Sequence, residues 1–154
     1  MRAYDGIKAE RGREVNLETP DFLEHARQLL SKSVAVQIRM SGSSMSPTIE
    51  DGDVVTVEPI TAKPVAAGDI ILYNSLRDTA VIHRVVRIER KGSSARAVVT
   101  RGDAASQNDI AVPVHRVLGK VELIDRAGEQ ITLVRTDHKV HLKVLTWLQR
   151  LKFW

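Results

Sequence analysis

Ala67-Gly68-Asp69-Ile70-Ile71-Leu72-Tyr73, followed shortly by Val81-Ile82-His83-Arg84-Val85-Val86-Arg87-Ile88, sets the texture of this chain. A glycine turn leads into a short branched-aliphatic run, and a second such run comes soon after. Runs of this length, rich in Val and Ile and bounded by Gly and Asp, read as strands rather than helices. The same texture extends outward in both directions. Val34–Met40 and Val54–Val57 precede it, and Ala95–Thr100, Arg116–Ile124 and Ile131–Val134 follow. Asp51-Gly52-Asp53, Lys91-Gly92 and Ala127-Gly128 supply further turns between them. Many short strands with frequent turns predict a mainly β, folded-over sheet domain over residues 33–137, and not alternating βαβ units.

The flanks differ. Residues 1–18 are polar and charged and read as a flexible tail. Thr19-Pro20 has the form of a helix start, with Thr19 as cap and Pro20 in the first turn. Phe22, Ala26, Leu29 and Leu30 then recur at helical spacing, which predicts a short amphipathic helix within 19–32, from Pro20 to about Ser31. In 138–154, Val144, Leu145, Leu148 and Leu151 share a helical face, with Lys143, Arg150 and Lys152 off it and Trp147, Phe153 and Trp154 adding aromatic surface. Such a segment suits either an interfacial membrane helix or a helix laid against its own sheet or a second copy of the chain. The second is favoured, because a stripe of this kind is poorly left in water.

Composition narrows the function. With 154 residues, 43% hydrophobic and 27% charged, the chain has the material for one ordinary globular domain. There is no cysteine, so neither disulfides nor thiolate chemistry is available. No cofactor or metal is expected. The net charge of +4 would suit nucleic acid. Yet the basic residues are scattered and few aromatics precede the C-terminal segment, so no nucleic-acid partner is expected. No apolar run reaches the length of about 18 residues that a membrane span needs, and the N-terminus lacks an apolar signal segment. The expectation is a cytoplasmic chain, with peripheral membrane contact through 138–154 as the alternative.

Three polar stretches carry the chemistry. In Ser41-Gly42-Ser43-Ser44-Met45-Ser46-Pro47-Thr48-Ile49-Glu50-Asp51-Gly52-Asp53, a small, Gly-containing loop follows a strand. A nucleophilic serine needs such a turn, which exposes its hydroxyl and aims backbone N–H groups at one point. In Val81-Ile82-His83-Arg84-Val85, alternation puts His83 on one face with Val81 and Val85, where partial desolvation favours the neutral imidazole of a general base. In Thr100-Arg101-Gly102-Asp103-Ala104-Ala105-Ser106-Gln107-Asn108-Asp109, two acids stand in a polar loop, either able to orient an imidazole. Taken singly, each stretch also reads as an ordinary surface turn or a structural histidine.

Together and in this order they resemble a family. The Ser44-Met45 loop with its Asp-Gly-Asp exit resembles the nucleophile box shared by type I signal peptidases and the self-cleaving SOS repressors. Val81–Val86 resembles the base box of the endoplasmic-reticulum and archaeal signal peptidases, which carry His where other members carry Lys. Thr100–Asp109 looks like the third box of the same His-type enzymes. The likeness covers about residues 34–124. It implies the folded β-sheet of that superfamily, with short helices at both termini. It also implies a serine endopeptidase with a peptide or protein as partner, in which Ser44 is the nucleophile and His83 the base. Asp109 would be the favoured acid, and Asp103 a loop former or the alternative acid. Gly42, Ser43 and Met45 would line the oxyanion and substrate side. Gly42 stands where signal peptidases usually place a serine, and Ser41 follows the repressor spacing instead. No anchor or DNA-binding module is expected, so trimming of a precursor suits the chain better than routine signal-peptide removal. A catalytically silent binding module and a basic nucleic-acid-associated regulator are the competing readings.

Overall fold

The computed structural model describes the backbone of residues 3–9, 13–15, 21–60, 64–136 and 139–145, and the side chains of 21–60 and 64–133. Within these residues the chain runs β1 (Ala3–Ala9), β2 (Arg13–Val15), α1 (Asp21–Ser31), β3 (Val36–Met40), β4 (Val54–Pro59), β5 (Ile70–Asn74), β6 (Ala80–Lys91), β7 (Ser94–Arg101), β8 (Val112–Pro113), a 3₁₀ turn, β9 (Val117–Arg126), β10 (Glu129–Thr136) and β11 (Lys139–Leu145). All pairings are antiparallel. The strand order is β2-β1-β3-β4-β9-β5-β6-β7-β8, and β10 joins β9 and carries β11. The mainly β, folded sheet expected from the runs of Val and Ile is the observed fold.

The long strand β9 organises it. Its residues Gly119 to Asp125 pair with β4, Val117 to Lys120 pair with β5, and Leu123 to Arg126 pair with β10. Gly119 is required at this junction. A Cβ there would stand 2.5 Å from Val57 Cγ1 and 2.7 Å from the Glu58 carbonyl oxygen, with Leu30 of α1 just behind. The helix buries Phe22, Ala26 and Leu30, one turn apart, against this part of the sheet. Burial of Phe22 and Leu30 stabilises the contact by about 2 kcal/mol each. Ser33, at φ +60, turns the chain out of the helix, while Val34 N–H reaches back to the Leu29 carbonyl at 3.0 Å.

Two apolar clusters flank the sheet. The larger gathers Met40, Met45, Ile49, Ile70, Leu72 and Ile82 with the helix. The smaller holds Ile71, Tyr73, Val85, Val98 and Val112. Four successive residues of β5, Ile70 to Tyr73, are buried, because the strand is covered on both faces. An unbroken apolar run is what such a position demands.

The termini differ from the expectation. Ala3–Ala9 and Arg13–Val15 are strands where a tail was expected, and β1 extends the sheet by pairing with β3, Ile7 opposite Ile38. Lys139–Leu145 is a strand paired with β10, not a helix: Val144 lies opposite Ile131 and Leu142 opposite Leu133. The branched residues Val140 and Val144 favour the extended form once a partner strand is present. The rest of the expected C-terminal helix, 146–154, and the expected cap Thr19-Pro20 lie outside the described residues. Among the described residues no helix is long and apolar enough to cross a membrane.

Candidate active site

The loop between β3 and β4 is closed by its own carboxylates. Met40 and Asp53 pair across its base, with Met40 N–H on the Asp53 carbonyl at 2.7 Å and Gly52 N–H on the Met40 carbonyl at 2.9 Å. Asp51 Oδ1 accepts the N–H of Gly42 at 2.8 Å. Asp53 is almost wholly buried; its carboxylate accepts Glu50 N–H at 2.8 Å and pairs with Arg126 at 2.7 Å. Asp-Gly-Asp is therefore the clasp of this loop. Gly42, at φ +90, makes the turn that brings Ser44 to the mouth of the sheet.

Ser44 Oγ lies 3.1 Å from His83 Nε2. His83 Nδ1 in turn lies 2.6 Å from Asp109 Oδ2. His83 stands on β6 opposite Ile71 of β5, with a side chain 12% exposed against 29% for Asp109, so the imidazole is largely screened from water while the site stays open on one side. Asp109 is anchored through its backbone as well, its N–H donating to the Thr100 carbonyl at 2.8 Å. Burial works against its charge. The bonds from His83 and Thr100, the attraction of His83 and the Tyr73 hydroxyl outweigh that and hold the carboxyl below the usual aspartate range.

Asp103 has a different partner. Its two oxygens take Arg84 Nε at 2.8 Å and Nη2 at 2.7 Å, a bidentate pair, and Arg84 Nη1 also donates to the Gly68 carbonyl at 2.9 Å. Burial opposes the charge of Asp103 too, but Arg84 and Thr48 keep its carboxyl below the ordinary range. Because Arg84 and His83 are neighbours on one strand, their side chains leave opposite faces. Asp103 is thus paired with Arg84, and the carboxylate on His83 Nδ1 is that of Asp109.

Two of the expected oxyanion or substrate residues are corrected. Met45 is fully buried within the larger cluster, so its side chain anchors the loop and lines no substrate surface. The N–H of Gly42 is donated to Asp51 and is not available to a substrate oxygen. Ser43 is exposed beside Ser44. No acceptor among the described residues takes the N–H of Ser44.

Gly102 has no role assigned by sequence reasoning, and it proves central. A Cβ at Gly102 would stand 2.5 Å from the Ser44 carbonyl oxygen, 3.2 Å from His83 Nε2 and 3.2 Å from Ser44 Cβ. Ala104 N–H also donates to the Ser44 carbonyl at 3.0 Å, so the third polar stretch lies directly against the Ser44 loop. The Thr-Arg-Gly-Asp run carried the signal, since a glycine between two polar residues after a strand marks a close backbone approach. Among the described residues no three His, Asp or Glu side chains gather as metal ligands would.

Residues 3–121 match the family model described as Peptidase S24-like. The chain belongs to the Peptidase S24-like family. As an S24-like chain it is similar also to the signal peptidase complex catalytic subunit SEC11C of Homo sapiens, Mus musculus and Canis lupus familiaris. Each is 28% identical over 75 residues, which cover 48% of this chain and 38% of the relative. The matched stretch thus spans well under half the length of those relatives. The S24-like match starts at residue 3 and so takes in β1 and β2, which the resemblance read from 34–124 had left out.

Proposed function

We propose that this protein is a serine endopeptidase that cleaves a peptide or protein precursor through an acyl-enzyme. The single observation that carries the reading is the unbroken run from Ser44 Oγ through His83 to Asp109, at 3.1 and 2.6 Å. In the proposed reaction Ser44 Oγ attacks the scissile carbonyl carbon as its proton passes to His83 Nε2. Asp109, accepting from Nδ1, fixes the tautomer that leaves Nε2 unprotonated and then stabilises the imidazolium. The carbonyl oxygen becomes an oxyanion facing the N–H of Ser44. Collapse breaks the C–N bond, and the leaving amine takes the proton from Nε2. Water, deprotonated by the same nitrogen, then hydrolyses the ester and restores Ser44. Kinship with a signal peptidase subunit supports a polypeptide substrate.

Phosphonylation by a fluorophosphonate, in which the serine oxygen displaces fluoride from phosphorus, tests the assignment after peptide mapping. A single adduct on Ser44 is expected, absent in Ser44→Ala and slowed steeply in His83→Ala. Undiminished labelling of Ser44 in His83→Ala would remove His83 as base. Adducts elsewhere, with Ser44 inert, would end the peptidase reading.

A further inference from the structure

Resting on that reading of the site, we propose that Thr100 and Tyr73 are positioning residues that hold Asp109 Oδ2 against His83 Nδ1. Three adjacent strands bring them together. Tyr73 is on β5, His83 on β6 and Thr100 on β7; Ile71 pairs with His83 and Val85 pairs with Thr100. Directly paired residues share a face, and alternation adds Tyr73 to Ile71 and Val85 to His83. All therefore lie on the face of the smaller cluster.

The hydrogen bonds converge on one atom. Asp109 Oδ2 lies 2.7 Å from Thr100 Oγ1 and 3.4 Å from Tyr73 OH, besides its contact with His83. Thr100 Oγ1 and Tyr73 OH are themselves 3.0 Å apart. Thr100 has one hydroxyl proton. The shorter contact to an ionised oxygen claims it, and Tyr73 OH donates its own proton to the same Asp109 Oδ2 at 3.4 Å. Two hydroxyl protons, from Thr100 and from Tyr73, thus meet on one carboxylate oxygen. Thr100 and Tyr73 are 1% and 3% exposed, so water cannot substitute for either hydroxyl. Tyr73 remains an O–H throughout the working range, because burial first, and the charge of Asp109 second, push its pKa to about 12. An apolar strand position would normally carry an apolar residue. Here two hydroxyls occupy the core face at the cost of desolvation, and both end at Asp109.

The hold has a defined consequence for the reaction. An aspartate free to rotate would let the imidazole turn, and Nε2 would lose its line to Ser44. The titratable and charged groups around Asp109 are His83 from β6 and Tyr73 from β5, while Asp103, paired with Arg84, also feels the charge of His83.

The test is a carboxyl-carbon NMR titration of Asp109, assigned by its disappearance in Asp109→Asn, together with the rate of Ser44 acylation and a melting curve. Thr100→Val keeps the shape and removes the hydroxyl; Thr100→Ser returns the hydroxyl; Tyr73→Phe removes only the phenolic oxygen. Thr100→Val should raise the Asp109 midpoint by about half a unit or more and slow acylation about tenfold. Thr100→Ser should stay near wild type, and Tyr73→Phe should raise the midpoint by less than Thr100→Val. A folded Thr100→Val protein with an unmoved midpoint would overturn the proposal, as would a Thr100→Ser protein as impaired as Thr100→Val. Should Thr100→Val fail to fold, an unmoved midpoint in Tyr73→Phe overturns it equally. The titration needs no turnover. A raised midpoint beside an inert wild-type Ser44 would therefore refute the peptidase and uphold the hold on Asp109, while a reactive Ser44 beside an unmoved midpoint would refute the hold alone.

Discussion

Replacing Gly102 by alanine adds one methyl group at the tightest place in the site. Its carbon would stand 2.5 Å from the Ser44 carbonyl oxygen, where about 3.3 Å is the near limit of carbon–oxygen approach. The shortfall is about 0.8 Å. It cannot be absorbed by a swinging side chain, because the atom it meets is backbone and is itself held by Ala104 N–H at 3.0 Å. The nucleophile loop must move away from the loop of Gly102. The methyl also lies 3.2 Å from His83 Nε2, so it enters from the side where serine and imidazole meet. A separation of 3.1 Å lengthened by a displacement of about 0.8 Å leaves the range in which the proton transfers. Misplacement on this scale costs about 100-fold in rate. Overpacking should cost about 1–3 kcal/mol in stability, small enough for the fold to persist. The assay is fluorophosphonate labelling of Ser44 against time, with a melting curve on the same sample. Labelling of a folded Gly102→Ala protein within about threefold of wild type would refute the steric reasoning.

Four further outcomes are expected. Asp109→Asn should slow Ser44 acylation by up to about 10⁴ with little change in melting temperature, because an amide can hold the wrong tautomer. Asp103→Asn should instead lower stability by about 2 kcal/mol through the Arg84 pair and leave the acylation rate within a few-fold, and the reverse pattern would move the acid to Asp103. Both aspartates titrate below their usual range, so each contributes stability that is full above the unfolded value of about 3.9 and is lost as pH falls through the lower folded values. The melting temperature should hold down to about pH 4 and drop below it, less steeply in Asp103→Asn; an equally steep drop in both proteins would refute this linkage. Met45→Ala should cost about 2–5 kcal/mol by chemical denaturation, since the side chain is fully buried, whereas a surface residue would show almost no loss.

The strands were legible because this sheet is punctuated by glycine turns and filled with branched residues, and β5 announced its double burial by an unbroken apolar run. The termini were not. Ala3–Ala9 has too mixed a composition to declare a strand, and takes that form by adding to the edge of β3. Lys139–Leu145 has an apolar spacing that fits a helix equally well, and only its pairing with β10 decides the form. Within the site, Ser44, His83 and Asp109 stood out only because three ordered stretches together resemble the boxes of a known family; singly, each also read as a turn or a structural histidine. The division of labour between the two aspartates was not legible, because the choice of His83 or Arg84 as partner depends on which face of β6 each loop residue meets. Met45 looked like part of a reactive loop because it adjoins the serine. Its burial follows from the loop folding back over the core, which no local spacing announces. Gly102, Thr100 and Tyr73 carry nothing reactive, so only distances reveal what they do.

Burial of β5 on both faces means that the two ends of the hydrogen-bonded run are fastened to different bodies of apolar side chains. Ser44 is seated through Met45 and Ile49 on the larger cluster, whereas Asp109 is held by Thr100 and by Tyr73, a member of the smaller one. The smaller cluster contains far fewer buried residues, so it is the cheaper of the two to melt. A transient loosening of β7 and β8 would let the carboxylate go while the serine loop stayed folded, giving a protein that is native by most spectroscopic measures and yet disarmed. The integrity of the Ser44–His83–Asp109 run and global stability are thereby separable quantities in this molecule. Its inactivation on warming should follow the lesser of two cooperative units, and amide exchange along Ala97 to Thr100 should report that unit opening before β3 and β4 do.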